Sequence, residues 1–378
     1  MLPQHLWVLI STAVGVLAAT APTKRATVCN GHAEFCSRLY SNVTYIGAHD
    51  SFAFSEDPPC TCVVLLNPPA CTSNAFASSV ARDQEVNITA QLDLGIRLLQ
   101  AQSHTDNSTG TFNFCHTSCD LFNGGPVLDY LKIVKTWLDS NPNEVLTLLF
   151  TNPEGQSPAN VWKPIFDEAG ISNLTYIPPS LPIKQSDWPT LGSMIDNGTR
   201  VVVFLDSQAD GPEPVNFILP EFSMVWETPF SVTNASFPCS VNRIHGPLAT
   251  EDHIYLINHS LNINIIPIGS GVIISDPLAA PTTNGITSIL ANANGCAPLG
   301  GNRAPSFVLL DYVNIGQAFQ AADILNGLVS PSSSASGAAP TSSKKSGALS
   351  AVNSPQWRWW ASWTFAIVAL GESWGRIL

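Results

Sequence analysis

Eight short apolar runs, spread through one continuous stretch of about 300 residues, constrain this chain more than any other feature. They fall at 43–48, 96–102, 111–115, 145–151, 200–205, 223–226, 263–268 and 307–313. Most are rich in large or β-branched apolar residues with Gly, Pro, Asn or Asp nearby, the pattern of a strand. Helical punctuation lies between several of them. Residues 126–140 carry Leu128, Leu131, Val134 and Leu138 at helical spacing, open on Pro126 and stop at Asn141-Pro142. Residues 158–169 put Val161, Ile165 and Phe166 on one face with Gly170 as the cap, and 317–325 is again helical after the last strand. Strands alternating with helices predict a closed parallel sheet, a TIM-type (β/α)8 barrel. The proline-rich stretch 211–246 predicts an irregular second half.

Composition agrees with a buried sheet. Hydrophobic residues make up 45% of the chain and charged residues 12%, as expected where parallel strands are covered on both faces, and a disordered body is excluded. The net charge of −12, with no basic run longer than Lys344-Lys345, excludes a nucleic-acid partner, because neutralising phosphates takes many Lys and Arg. An acidic surface also repels anionic bilayers at long range, although salt screens this within roughly 10 Å. The chain is read as a monomer.

The ends read as processing segments. Residues 1–19 form a secretory signal, an apolar stretch too short to span a bilayer, with cleavage expected after Ala19. Residues 20–28 form a short pro-segment whose Lys24-Arg25 is either a second processing site or a solvated pair. The barrel body is 29–329, followed by a Ser/Ala/Pro-rich linker at 330–356 and an apolar tail at 357–378. Small residues at Ser346-Gly347-Ala348, a polar spacer and the apolar tail have the order of a GPI-anchor signal, although Glu372 and Arg376 break its apolar end. Free secretion and a short span are the alternatives. Either secretory reading places the protein outside the cell or at its surface. Sequons at Asn42, Asn87, Asn107, Asn173, Asn197, Asn234 and Asn258 fit that compartment and a glycoprotein. In an oxidising compartment the nine cysteines form disulfides before metal sites, with one thiol left over by the odd count, so the barrel is expected to be stapled; Cys29 with Cys36 and Cys115 with Cys119 are plausible local pairs.

Chemistry concentrates at two histidines. His49 in YIGAHDSF and His116 in GTFNFCHTSC each stand where a strand hands over to a loop, the end at which α/β barrels keep their reactive groups. With an unperturbed pKa near 6.5, two imidazoles can share a reaction, one neutral and one charged, at mildly acidic to neutral pH. Between them runs QLDLGIRLLQAQSH: a helix end, a Gly95 stop and another strand. This order of parts resembles the X domain of phosphatidylinositol-specific phospholipase C, and most closely its fungal secreted branch of phospholipase-C-like phosphodiesterases. The resemblance implies that His49 is the base and His116 the acid in cleaving an inositol phospholipid or glycosyl-inositol phospholipid at a membrane surface. Asp50 matches the family's carboxylate beside the first histidine. Asp311, at the end of the last strand, would lie beside the first strand in a closed barrel and either hold the other nitrogen of His49 or cap a helix or bridge a loop. Asn152 and Asp206, at two further strand ends, are candidates for substrate binding.

The sequence departs from the family after GIR. Where bacterial members place an aspartate and a phosphate-clamping arginine, and animal members two acidic calcium ligands, this chain has Gln100 and Gln102. These are read as substrate-binding amides. Two neutral amides make a poor hard-cation site, which predicts a metal-independent reaction with no cofactor. The missing charge also keeps open a different class of function: a weakly active or inactive barrel that binds carbohydrate or lipid head groups at the surface. Arg97 of GIR is expected on the barrel exterior. The loop 55–74, with three cysteines and four prolines, is expected to roof the site.

Overall fold

A computed structural model describes residues 25–55, 81–264 and 273–330 of the chain. The strands among them are β1 (Tyr45–Ala48), β2 (Leu98–Thr105), β3 (Phe112–Cys115), β4 (Asn123–Pro126), β5 (Leu146–Thr151), β6 (Val201–Leu205), β7 (Ile218–Pro220), β8 (Val225–Glu227), β9 (Ile254–Asn258), β10 (Asn262–Asn264), β11 (Ile273–Ser275) and β12 (Phe307–Leu310). Eight of them run in the order β7-β6-β5-β2-β1-β12-β9-β8, each pair parallel. First and last strands pair from Tyr45 opposite Phe307 to Ala48 opposite Leu310. The ladder is interrupted between β7 and β8, which are joined by the single turn Glu221–Ser223. The irregular half of the barrel expected around 211–246 is this seam.

Two expected barrel strands are not in the barrel. The run 111–115 becomes β3, which folds back antiparallel on β2 and pairs with β4. The run 263–268 supplies part of β10, paired antiparallel with β11 in a separate ribbon, and 265–268 lies outside the described residues. Their places are taken by β7 and β9, which the sequence reading passed over. Local pattern says that a run is extended; the direction in which it pairs is decided by distant partners.

Helices follow their punctuation more faithfully. Val127–Ser140 begins after Pro126, and Lys163–Ala169 ends at Gly170 in the left-handed conformation, φ 74°. Ile88–Leu94 stops at Gly95, φ 112°, where the chain turns into β2. Alternate strand residues split the core into two shells. Tyr45, Leu98, Leu149, Phe204, Leu256 and Leu309 belong to the inner one, while Ile46, Leu99, Leu148, Val203, Ile257 and Val308 pack outward against the helices. Arg97 shares the outward face, paired to Glu144 at 2.8 Å and set over the Trp137 ring.

Continuing the inward series toward the C-terminal end of each strand gives His49, Gln100, Gln102, Asp206, Glu227, Asn258 and Asp311. The inner face therefore changes from apolar to polar at one mouth. A closed bottom made of packed side chains and a polar mouth are what a barrel site requires.

Three disulfides are described: Cys29–Cys36, Cys115–Cys119 and Cys239–Cys296. The last ties the irregular segment after β8 to the helix Ile286–Cys296. Cys60, Cys62 and Cys71, most of the 55–74 loop, the signal segment and the apolar tail lie outside the described residues, as does the linker beyond Ser330. No helix among the described residues is long and apolar enough to cross a membrane. Asn42, Asn107, Asn173, Asn197 and Asn234 stand exposed. Asn258 is different: it is buried in β9 and spends its amide on Glu227 and the Thr228 carbonyl, so its sequon is not an accessible acceptor in the folded chain.

Candidate active site

His49 directly follows β1, and its backbone N–H donates to the Leu310 carbonyl on β12 at 2.9 Å. That pairing sets Asp311 beside it, with Oδ1 2.8 Å from His49 Nδ1. Ser275 donates to the other oxygen of Asp311, and Asn284 Nδ2 donates to the Asp311 carbonyl at 2.8 Å. His116 comes from outside the barrel. It follows β3, at the end of the antiparallel excursion, and its N–H donates to the Phe122 carbonyl at 3.1 Å. Its Nδ1 lies 2.6 Å from the Ala81 carbonyl. A carbonyl only accepts, so Nδ1 carries a proton and Nε2 is the nitrogen left for chemistry.

The two rings meet over Asp50. One oxygen of this fully buried carboxylate lies 3.9 Å from His49 Nε2 and 3.7 Å from His116 Nε2, and neither of its oxygens has a hydrogen-bond partner. The residues after His49, His116 and Asp311 all adopt positive φ: Asp50 at 36°, Thr117 at 63° and Tyr312 at 49°. Left-handed conformations are uncommon for such residues and concentrate where a functional turn is held by its surroundings.

Gln100 and Gln102 do that holding for two of the turns. Gln100 Oε1 accepts from Asp50 N at 2.7 Å, and Gln102 Oε1 accepts from Thr117 N at 3.0 Å. Each oxygen thus already accepts one backbone hydrogen bond, and each amide also carries N–H groups that can donate to a ligand. Calcium, which the resemblance associates with these two positions, is poorly served by two neutral amides whose oxygens already accept backbone hydrogen bonds. Asn152 is likewise committed to its own loop: its amide bonds Gln156 in both directions, and its N–H donates to Asp206 Oδ1 at 2.7 Å. Asp206 is pushed up in pKa by burial, against the hydrogen bonds it accepts from Asn152 and Ser207.

Asp83 joins the two rings without any signal in the sequence. Its Oδ2 lies 3.4 Å from His116 Nδ1 and 4.0 Å from His49 Nδ1. The next residue, Gln84, donates to the His49 carbonyl at 2.8 Å and the Leu310 carbonyl at 3.1 Å, and accepts from Val313 N. Neither residue belongs to a periodic segment, and no motif marks them.

A second polar group, likewise unmarked in the sequence, occupies the β8 side of the mouth. Arg243 pairs with Glu227 and lies over the rings of Phe222 and Phe230, and Asn258 donates to the same Glu227 oxygen. Burial and the neighbouring Glu227 push the Glu221 pKa well above its ordinary value.

Three buried carboxylates change the proton chemistry of the pair. Burial by itself would lower the His49 pKa, but the charges of Asp311 and Asp50, the Asp311 hydrogen bond and Asp83 outweigh it and push it up to about 10. His116 moves the same way: burial lowers it, while Asp83, Asp50 and the Ala81 carbonyl raise it more. Burial raises Asp83 itself to about 7, against the pull of His116. Both imidazoles therefore hold their protons to higher pH than an unperturbed pair would. His49, Asp83 and Asp311, or Asp50, Asp83 and His116, also have donor atoms within 4.8 Å of one another, close enough in spacing for a cation. The inner nitrogens of both rings are already hydrogen-bonded, however, and spacing alone does not make a metal centre.

A family model described as PI-PLC X matches residues 70–326, more than half of the chain. The chain is 38% identical over 336 residues to PI-PLC X domain-containing protein 1 of Arthroderma benhamiae, covering 86% of this chain and 98% of that protein. It is also 38% identical over 307 residues to a protein of the same organism named an uncharacterized secreted protein, covering 79% and 64% respectively. Among solved structures, a mutant phosphatidylinositol-specific phospholipase C of Staphylococcus aureus aligns with a TM-score of 0.48 at 14% identity, covering 77% of this chain and 94% of that one. The enzyme of Listeria monocytogenes aligns with a TM-score of 0.46 at 13% identity over the same shares.

Proposed function

Since this chain belongs to the PI-PLC X domain family, we propose that it is a phosphodiesterase that cleaves an inositol phospholipid or glycosyl-inositol phospholipid by general acid–base catalysis. The observation that carries this reading is the meeting of His49 Nε2 and His116 Nε2 at one buried Asp50 oxygen, 3.9 and 3.7 Å away. His49, its Nδ1–H directed at Asp311, takes the proton of the hydroxyl next to the phosphate. The freed oxygen attacks phosphorus, and His116 gives its Nε2 proton to the departing lipid oxygen. A cyclic phosphodiester and a neutral diacylglycerol-type alcohol result. Each proton transfer contributes roughly 10²- to 10⁴-fold.

The test is turnover of phosphatidylinositol vesicles by the purified protein, with and without chelator, in the wild type and in His49→Ala and His116→Ala. Turnover that survives chelation and collapses in both variants is expected. Undiminished turnover in either variant would falsify the mechanism. A second reading, a head-group binding module, is favoured by the neutral, backbone-engaged Gln100 and Gln102. It predicts binding of inositol phosphates without turnover, unchanged by either alanine substitution.

A further inference from the structure

Residues 81–84 form a strap that reaches both imidazoles. Asp83 N donates to the Ala53 carbonyl at 2.9 Å and Tyr312 N donates to the Asp83 carbonyl at 2.8 Å, so the strap is clamped between the turns that follow β1 and β12. Ala81 supplies the carbonyl at His116 Nδ1, and Gln84 supplies the amide at the His49 carbonyl. We propose that Asp83 is a positioning residue for both histidines: set between their inner nitrogens, its carboxylate adjusts how tightly the pair holds its protons and so selects the pH at which it divides into base and acid.

The inference rests on reading His49 and His116 as the reacting pair. Among the described residues the three carboxylates at the rings are not equivalent. Of the two rings Asp311 bonds only that of His49, and Asp50 faces the outer nitrogens. Asp83 faces the inner nitrogen of each ring, at 3.4 Å from His116 and 4.0 Å from His49. Both inner nitrogens already have closer partners, so Asp83 acts through charge, which at about 4–6 Å favours the imidazolium form. The other groups acting on it are Asp50 after β1 and Asp311 after β12, while Tyr312 feels the charges of both Asp83 and Arg82. The expected ranking is clear: Asp83 is the leading influence raising His116 and the last of those raising His49.

The experiment is a titration of the histidine ring resonances by NMR in the full chain, with His49→Gln and His116→Gln to assign them, beside a turnover–pH profile on phosphatidylinositol. In Asp83→Asn, which keeps the shape and removes the charge, both ring midpoints are expected to move to lower pH, His116 further than His49. Turnover should then exceed wild type on the acid side of the profile and fall below it on the alkaline side. Asp83→Glu should keep the midpoints high. Unmoved midpoints, or turnover reduced equally at every pH, overturn the proposal in favour of a structural strap. If Asp83→Asn does not fold, the same midpoints are read in Asp83→Ser. If the wild type cleaves nothing, the ring titration still decides the role of Asp83, and only the functional reading falls.

Discussion

The two histidines are mounted in different ways. His49 is held by the barrel itself, at the junction of first and last strands, with its N–H in the β1–β12 ladder and its ring against Asp311 on the neighbouring strand. His116 hangs on an antiparallel excursion that leaves the barrel at the end of β2, and it is fixed by the Phe122 carbonyl, the Ala81 carbonyl, the Cys115–Cys119 bridge and Gln102 behind Thr117. One mounting cannot shift without opening the sheet. The other is held by bonds outside the parallel ladder, so stability and activity should respond separately on the two sides.

The largest effects should come from the rings. His49→Ala and His116→Ala should each lower turnover of phosphatidylinositol by roughly 10²- to 10⁴-fold, with both proteins still folded by circular dichroism; equal and near-complete activity in both would dissolve the comparison. Next is the seam beneath His49. A Cβ at Gly47 would lie 2.7 Å from Leu98 Cδ2 and 3.1 Å from Leu309 Cδ1, so Gly47→Ala overpacks the inner layer and should cost about 1–3 kcal/mol by denaturant melts, with activity falling in parallel. On the hairpin side the opposite pattern is expected: Cys115→Ser with Cys119→Ser should lower turnover more than it lowers Tm, because the closed loop is short and its constraint on the unfolded chain is small. The mildest is Gln102→Ala, which deletes one acceptor for Thr117 N and should cost about 1 kcal/mol with a several-fold loss in turnover.

Stability against pH sharpens the same contrast. His49 has a folded pKa raised to about 10, so its contribution is fully present below its unfolded value and is lost as pH rises toward 10. Asp83, raised by burial to about 7, also favours the folded state less as pH rises from the ordinary aspartate range to about 7. The melting temperature should therefore fall on going from mildly acidic to alkaline pH, while activity rises as His49 loses its proton. Asp311→Asn should flatten the His49 part of that fall, an outcome readable by calorimetry alone.

The two histidines and Asp50 that the resemblance singled out stand together at one mouth, and Asp311 lies against His49. The helix ends at Pro126, Gly95 and Gly170 were legible because caps and stops are local chemistry. What each run of apolar residues pairs with was not: β3 and β10 look like barrel strands and are not, while β7 and β9 were overlooked. Gln100 and Gln102 were expected to face a substrate, yet their oxygens bond the turns that carry the histidines.

By itself, the sequence determined the alternation that makes a barrel, the polar residues that end its inward series, and the pair of imidazoles at two strand ends. Tertiary structure alone decided the proton affinity of that pair. It brought Asp83 from an unpatterned segment, Asp50 from a left-handed turn and Asp311 from the far end of the chain into one buried volume. Charge interaction depends on separation in space and on the water removed around it, and neither quantity is written in the spacing of residues along a chain.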